Sequence, residues 1–266
     1  MNSNLRLNLN QYVAAAIIPL LCIVAVASLQ LPQLNRLTQK TKTATQESLK
    51  QDLELEKLRL NTLHKTPAFG FNNLVADWVF LNFLQYFGDD DARAVTGYDI
   101  SPKYFEIIVD RDPKFLGTYL GLSTSISMYA AMPEKSVALM EKGLKSMSPQ
   151  TPSKSYYIWR YKGIDELLFL GDAQAAKQSL EKAAEWASTY PDEESQYVAG
   201  LSRKTAEFLS RNPNSKLAQV NAWAMVLSNT ADARTRKIAI SRIESLGGKV
   251  IVTPEGAVKI RPPSKD

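Results

Sequence analysis

The sequence predicts an all-α protein with an N-terminal transmembrane helix, a helical stalk, antiparallel helix-pair repeats and a small C-terminal β-hairpin. Three observations predict this organisation. Residues 12–31 form an uncharged apolar run, YVAAAIIPLLCIVAVASLQL, behind a short tail of residues 1–11. Residues 67–246 form a series of helical patterns that Pro and Gly interrupt. Residues 247–266 alternate in polarity around a Pro-Glu-Gly turn, which is typical of a hairpin.

The apolar segment of residues 12–31 is long enough to cross a bilayer. Twenty helical residues rise about 30 Å, the thickness of the hydrocarbon core. The segment is apolar on every face, which favours a permanent transmembrane helix over a buried helix of the soluble domain. A cleaved signal peptide is the remaining alternative, because Ala25-Val26-Ala27 gives a small-x-small pattern. Cys22 is the only cysteine, so the chain has no internal disulfide.

The charges around this segment indicate its orientation. Only Arg6 precedes it, whereas Arg36, Lys40, Lys42 and Lys50 follow it. Because positive residues stay on the cytoplasmic side of a membrane, the count favours a cytoplasmic position for the soluble domain. The chain is therefore predicted to be a single-pass membrane protein.

Residues 32–66 are predicted to form a helical stalk that leaves the membrane and docks on the domain. The stretch has no Gly and no Pro after Pro32, and an uneven leucine stripe at helical spacing. The stripe consists of Leu49, Leu53, Leu60 and Leu63, with Leu55 and Leu58 alongside. A short dimeric coiled coil is the alternative, but Thr41, Ala44 and Ser48 are poor core residues for it.

The first helix of the domain is predicted at residues 72–87, with Asn72 as its N-cap and Gly88 at its end. It is apolar on most of its circumference, so we expect it to be buried on more than one side. Asp77 lies in its middle and is predicted to be a buried polar residue, held by a salt bridge or hydrogen bond. The alternative is an acid that lines a groove.

Further helices follow, and their boundaries recur. The predicted ranges are 101–109, 113–132, 133–147, 156–170, 173–189, 194–210, 215–228 and 231–245. Pro113, Pro149 and Pro191 stand 36 and 42 residues apart, and each interval holds two helices. This spacing is typical of helix-turn-helix repeats.

Residues 169–191, FLGDAQAAKQSLEKAAEWASTYP, resemble the second helix of a tetratricopeptide repeat. Gly171-Asp172 is followed by small residues and a late proline, namely Ala176, Leu180, Ala183, Ala184 and Pro191. Asp112-Pro113-Lys114-Phe115 resembles the junction between two such repeats. The Trp-x-x-Leu-Gly-x-x-Tyr spacing of the first helix is not kept. The resemblance covers residues 100–210 and implies stacked helix pairs that bind proteins.

A second resemblance concerns VADWVFLNFLQYFGDDDAR, residues 75–93, and YFEIIVDRDPKF, residues 104–115. Both are similar to stretches of uncharacterised bacterial proteins with a membrane anchor and helical repeats, and they look cyanobacterial. The resemblance implies a bacterial plasma or thylakoid membrane, and it implies no activity.

A dense aromatic and basic run at residues 156–162 is the candidate partner-binding site. Tyr157, Arg160 and Tyr161 share one helical face, whereas Trp159 and Lys162 lie near the opposite one. Aromatic residues and Arg dominate the binding energy of protein interfaces. Packing between repeats uses the same side chains, so both interpretations stay open.

The other polar residues of the sequence predict no catalytic, metal or cofactor site. His64, the only histidine, is interpreted as a solvated linker residue, and one His with one Cys cannot form a His/Cys metal site. The acidic run Asp89-Asp90-Asp91 is interpreted as a solvated loop and the N-terminal charge of a helix. No Gly-rich phosphate loop or nucleophile motif occurs, so we expect no cofactor, small-molecule substrate or enzyme activity. The net charge of +5 is interleaved with acids, which argues against nucleic-acid binding.

Together these patterns predict a membrane-tethered scaffold for protein–protein interaction, with the lipid bilayer and an unidentified protein as partners. Assembly or maintenance of a membrane complex is the expected role. One alternative is a helical enzyme or lipid-handling protein that uses an inner groove near Asp77, Asp165 and Glu166. The other is a secreted helical protein released after cleavage of the N-terminal segment.

Overall fold

A computed structural model describes residues 17, 20–31, 45–211, 216–229, 232–252 and 258–263. The chain divides into two compact units, Met1–Ser48 and Leu49–Asp266. In the first unit, residues 20–31 are helical and their large apolar side chains are exposed. Residues 12–16, 18 and 19 of the predicted transmembrane segment lie outside the described residues. Within the parts of the chain that are described, no helix is long and apolar enough to cross a membrane.

The prediction of an all-α protein is confirmed. The helices from Gln46 onward are α1 (Gln46–Lys65), α2 (Asn72–Phe87), α3 (Asp90–Thr96), α4 (Ser101–Arg111), α5 (Tyr119–Ser123), α6 (Pro133–Leu144), α7 (Tyr156–Asp165), α8 (Ala173–Ala187), α9 (Glu193–Arg211), α10 (Lys216–Asn229) and α11 (Ala233–Ser245). A 3₁₀ turn, Leu116–Thr118, precedes α5. Two helices end in π-helical turns, α5 in Thr124–Tyr129 and α7 in Glu166–Leu170.

Local sequence signals explain most of these boundaries. The side chains of Asp89, Asp172 and Asp232 accept hydrogen bonds from the backbone N–H groups that open α3, α8 and α11. The acidic run therefore supplies a helix cap. Pro133 occupies the first turn of α6, where its missing N–H costs nothing. Gly171 ends the π turn after α7 with a left-handed backbone conformation.

Two boundaries differ from the sequence prediction. The helix expected from Pro113 begins only at Leu116, because the Asp112 carboxylate accepts a bond from the Lys114 N–H and forms an Asx turn. α2 covers the predicted residues, but Asn72 is its first helical residue and makes no N-cap bond. Its side-chain oxygen instead accepts a bond from Arg111 at 3.3 Å.

Neighbouring helices pack as pairs in the order of the chain. α5 packs with α6, α7 with α8, α8 with α9, and α10 with α11. The first pair is very close, because a Cβ atom on Gly143 of α6 would fall 1.8 Å from the hydroxyl oxygen of Tyr119. Tyr119 is fully buried and donates to the Pro113 carbonyl at 2.6 Å. A small residue at position 143 therefore permits this helix crossing.

The main core joins α1 to the first helices of the domain. Leu60 of α1 is buried together with Phe83, Phe105, Ile108 and Met140. The α1 leucines at positions 53, 60 and 63 thus pack on the core, whereas residues 32–44 of the predicted stalk lie outside the described residues.

A small β-hairpin follows α11, as predicted. β1 (Lys249–Val252) pairs antiparallel with β2 (Val258–Arg261), and Val250 lies opposite Ile260. Both of these residues pack against the cluster that contains Trp223 and Ile243. The hairpin therefore gains its stability from the last two helices, as a two-stranded sheet requires.

The prediction that Asp77 is buried is wrong, because its side chain is exposed. α2 buries only one stripe, formed by Ala76, Val79, Phe83 and Tyr86. Its opposite side leaves four large apolar residues in solvent, namely Leu74, Trp78, Leu81 and Leu84. Asp77 belongs to that exposed side. An apolar circumference does not prove burial, since tertiary packing decides which faces are covered.

Candidate functional site

A groove of about 600 Å³ lies between α6, α7 and α8. Trp159 and Lys162 enter it from α7, and Glu141 enters it from α6. α8 supplies the rest of the lining, which is Ala175, Gln178, Ser179, Glu181, Lys182 and Glu185. The groove therefore depends on two successive helix pairs and combines one aromatic ring with charges of both signs.

The floor of the groove is a closed polar triad. Lys162 Nζ lies 2.5 Å from Glu166 Oε1 and 3.2 Å from Ser179 Oγ. Ser179 in turn donates to Glu166 Oε2 at 2.6 Å. All three residues are buried, and each charge has a partner. Such a network fixes side-chain positions, because each of the three residues is held by two buried hydrogen bonds.

Trp159 forms the aromatic part of the lining. Its ring packs edge-on against Trp186, with 5.9 Å between ring centroids, and Lys162 Nζ lies 5.7 Å from the Trp159 ring centroid. Its indole Nε1 is buried and has no hydrogen-bond partner within the described residues. A buried donor without a partner costs about 1–3 kcal/mol, so this N–H is available to a hydrogen-bond acceptor that enters the groove.

The rim of the groove is acidic. Lys182 pairs with Glu185 at 2.7 Å, and Lys177 lies 3.7 Å from Glu181. Glu141 is exposed and makes no ion pair with any described residue. Lys162 is balanced by Glu166, Lys182 by Glu185 and Lys177 by Glu181, so among the described residues the negative excess of the lining is the single charge of Glu141.

A second buried carboxylate, Asp165, lies one residue before Glu166. Its oxygens accept hydrogen bonds from the hydroxyl groups of Ser123 at 2.8 Å, Ser127 at 2.5 Å and Ser136 at 2.7 Å. Burial raises the pKa of Asp165 to about 6, although the three serine bonds act in the opposite direction. This cluster joins α7 to α5 and α6, so it couples the two helix pairs.

The acids suggested for an inner groove are not brought together. Asp165 and Glu166 are 1% and 3% exposed, and both are engaged by the side chains described above. Asp77 lies on the exposed side of α2 and does not line the groove. Asp165 and Glu166 therefore stabilise contacts between helices in this structure.

Two of the three predicted partner-binding residues, Tyr157 and Arg160, contact α9, whereas Tyr161 packs against the main core. The Tyr157 hydroxyl donates to Glu194 Oε1 at 2.5 Å, and Arg160 donates to Ser202 Oγ at 3.4 Å. The Tyr157 and Tyr161 rings stack with centroids 6.1 Å apart. All three residues are half-buried, and none lines the groove. Their contact with a partner stays a prediction.

His64 is not merely a solvated linker residue. Its Nε2 lies 2.8 Å from Asp110 Oδ2, and Lys142 contacts the other oxygen of that carboxylate. Burial acts to raise the pKa of Asp110, but hydrogen bonds from Lys142 and His64 outweigh it and hold the pKa below its ordinary value. The three residues join α1, α4 and α6. Among the described residues, no cluster of His, Cys, Asp and Glu could hold a metal ion.

No protein-family model, curated protein or solved structure matches this chain. The site must therefore be interpreted from its own residues. The sequence had placed Trp159 and Lys162 together near one helical face, and both line the groove. It gave no signal for Glu141 or Gln178, because only tertiary packing brings α6 and α8 beside α7.

Proposed function

We propose that this protein is a membrane-tethered helical-repeat scaffold that binds a segment of a partner protein in the groove between α6, α7 and α8. Its role is the assembly or maintenance of a membrane complex. The observation that carries the proposal is the groove itself, with an aromatic wall, a fixed floor and an acidic rim. Stacked helix pairs offer such surfaces without any need for chemistry.

The lining indicates the chemistry of the segment. A Lys or Arg of the partner gains a cation–π contact with Trp159 and a carboxylate from Glu141 or Glu181. Gln178 supplies an amide that bonds either a donor or an acceptor of an extended backbone. We therefore propose a basic segment with neighbouring apolar side chains as the ligand.

The floor supports binding without rearrangement. Lys162, Glu166 and Ser179 satisfy one another, so no charged group at the floor has to be paired by the ligand. A preformed site loses less conformational entropy on binding than a mobile one. The scaffold therefore presents the same surface to each incoming segment.

The N-terminal segment, residues 12–31, supplies the tether in this proposal. As a single transmembrane helix it keeps the groove beside the bilayer and raises the effective concentration of the groove for membrane partners. A plasma or thylakoid membrane of a bacterium is the proposed location. The excess of Lys and Arg after the segment favours a domain on the cytoplasmic side.

Affinity purification of the full chain from native membranes tests this function. The variant Glu141→Lys/Glu181→Lys reverses the charge of the rim, and we expect the recovered partner to be lost. The matched control is Glu244→Lys, an exposed acid on α11 with no ion pair among the described residues. Equal recovery of partner by wild type and rim variant would contradict the proposal.

A further inference from the structure

The turn between α1 and α2 exposes two phenylalanines. Phe69 is 83% and Phe71 is 65% exposed. Phe69 has a φ of 47° and Gly70 a φ of 91°. A bulky residue with positive φ is uncommon, and such strain collects at functional sites. Neither the exposure nor the backbone conformation of Phe69 favours folding, so both point to a role of this turn outside the stability of the fold.

Arg111 holds this turn in place. Its Nη2 donates to the Thr66 carbonyl at 2.5 Å and to the His64 carbonyl at 3.1 Å, and its Nη1 donates to Asn72 Oδ1 at 3.3 Å. The Phe71 N–H closes the turn on the Ala68 carbonyl at 2.8 Å. The two phenyl rings are therefore presented by a fixed backbone.

The apolar surface continues along α2. Leu74 and Trp78 follow Phe71 by three and seven residues, which places them on the same helical face. They are 64% and 43% exposed. We call Phe69, Phe71, Leu74 and Trp78 the aromatic tip. Arg59 of α1 lies over the Trp78 ring, with 5.1 Å between its guanidinium carbon and the ring centroid.

We infer that the aromatic tip inserts into the interfacial layer of the bilayer to which the chain is tethered. Aromatic rings are enriched at the level of lipid headgroups, and neighbouring cations favour anionic lipids. Arg59 and Arg111 supply cations beside the tip, and Glu56 balances the charge of Arg59 at 2.7 Å.

The chain length permits this contact. The inference relies on the membrane tether of the proposed function and is independent of the groove. Fourteen residues, 32–45, stand between the apolar segment and α1 in the sequence, and a chain of that length spans at most about 46–50 Å. α1, with twenty residues, is about 30 Å long. The turn at the end of α1 can therefore reach the bilayer that holds the tether.

Electron paramagnetic resonance of the full chain tests the inference. A spin label is attached at Phe69→Cys in a Cys22→Ser background, and the protein is placed in nanodiscs of phosphatidylcholine with phosphatidylglycerol. Phe71→Cys provides a second position whose backbone has an ordinary φ. The control is Phe208→Cys on α9, since Phe208 is 58% exposed and lies outside the tip.

We expect labels at positions 69 and 71 to be more accessible to oxygen than to a water-soluble nickel chelate, and the label at 208 to show the reverse. Aqueous behaviour at all three positions would overturn the aromatic tip while leaving the tether and groove intact. Spin–spin broadening between tips would also overturn it, because a second copy would then cover the surface. Failure of the chain to enter nanodiscs would contradict the tether, and with it both proposals.

Discussion

Asp165 Oδ2 accepts a hydrogen bond from Ser127 Oγ at 2.5 Å, although the two residues are 38 positions apart in the chain. The bond crosses from the π turn after α5 to the end of α7. Ser123 and Ser136 complete the shell around the same carboxylate. Successive helix pairs are therefore joined through a buried acid, next to the lysine–glutamate pair that forms the floor of the groove.

The pH dependence of stability follows from Asp165. Burial raises its pKa from 3.8 to about 6 in the folded state. Between these values the folded chain binds a proton that the unfolded chain does not, so this group's contribution falls as pH rises through that window. Well above pH 6, the contribution of Asp165 to the free energy of unfolding is about 3 kcal/mol smaller than well below pH 3.8.

Replacing Asp165 by Asn removes this titration. We expect the free energy of unfolding of wild type, minus that of Asp165→Asn, to decrease by about 2 kcal/mol between pH 4 and pH 7. Urea denaturation followed by circular dichroism measures it. Asp77→Asn is the control, because that carboxylate is exposed. A difference that does not vary with pH would show that Asp165 does not titrate in this window.

Lys162→Met tests the floor of the groove. The variant leaves Glu166 buried with Ser179 as its remaining partner, and breaking a buried ion pair in this way costs about 3–5 kcal/mol. Lys182→Met removes the exposed partner of Glu185 and is expected to cost less than about 1 kcal/mol. Equal effects of the two substitutions on chemical denaturation would contradict the buried triad.

Gly143→Ala tests the close crossing of α5 and α6. The new methyl group collides with the Tyr119 hydroxyl, so we expect a loss of about 1–3 kcal/mol in unfolding free energy. In the Gly143→Ala background, Tyr119→Phe removes the hydroxyl oxygen nearest the new methyl group and should recover part of the lost unfolding free energy. Gly200→Ala on α9 meets no atom within 4 Å and should be neutral or stabilising by up to about 1 kcal/mol. Thermal denaturation of these three variants beside wild type orders the effects.

The triple variant of Tyr157, Arg160 and Tyr161 to alanine separates two roles of that helical face. The bonds to Glu194 and Ser202 indicate that it holds α7 to α9. We therefore expect a lower unfolding free energy and an unchanged partner in purifications from membranes. Loss of the partner at wild-type stability would instead assign these residues to a binding site.

Local signals predicted much of the fold, and tertiary features were missed. Proline and glycine predicted the range of α2 and the combined range of α7 and its π turn, because these residues act on the backbone within a few positions. For α3 the sequence indicated only the N-terminal charge at Asp89-Asp90-Asp91 and no range, and neither π turn was predicted, since no local pattern distinguishes a π turn from an α-helix. The exposure of Asp77 could not be predicted, because α2 is apolar around most of its surface. The groove was missed for the same reason, since its residues meet only after α6, α7 and α8 pack.

Site-specific photo-crosslinking in native membranes tests the central claim, that the groove holds a segment of a partner protein, most directly. A benzoyl-phenylalanine replaces Gln178 in the groove, and a matched probe replaces Lys204, which is exposed on α9. We predict a single crosslinked partner at position 178 that an excess of basic peptide displaces, and none at position 204. The same products at both positions, or a product at 178 that basic peptide leaves unchanged, would contradict the claim.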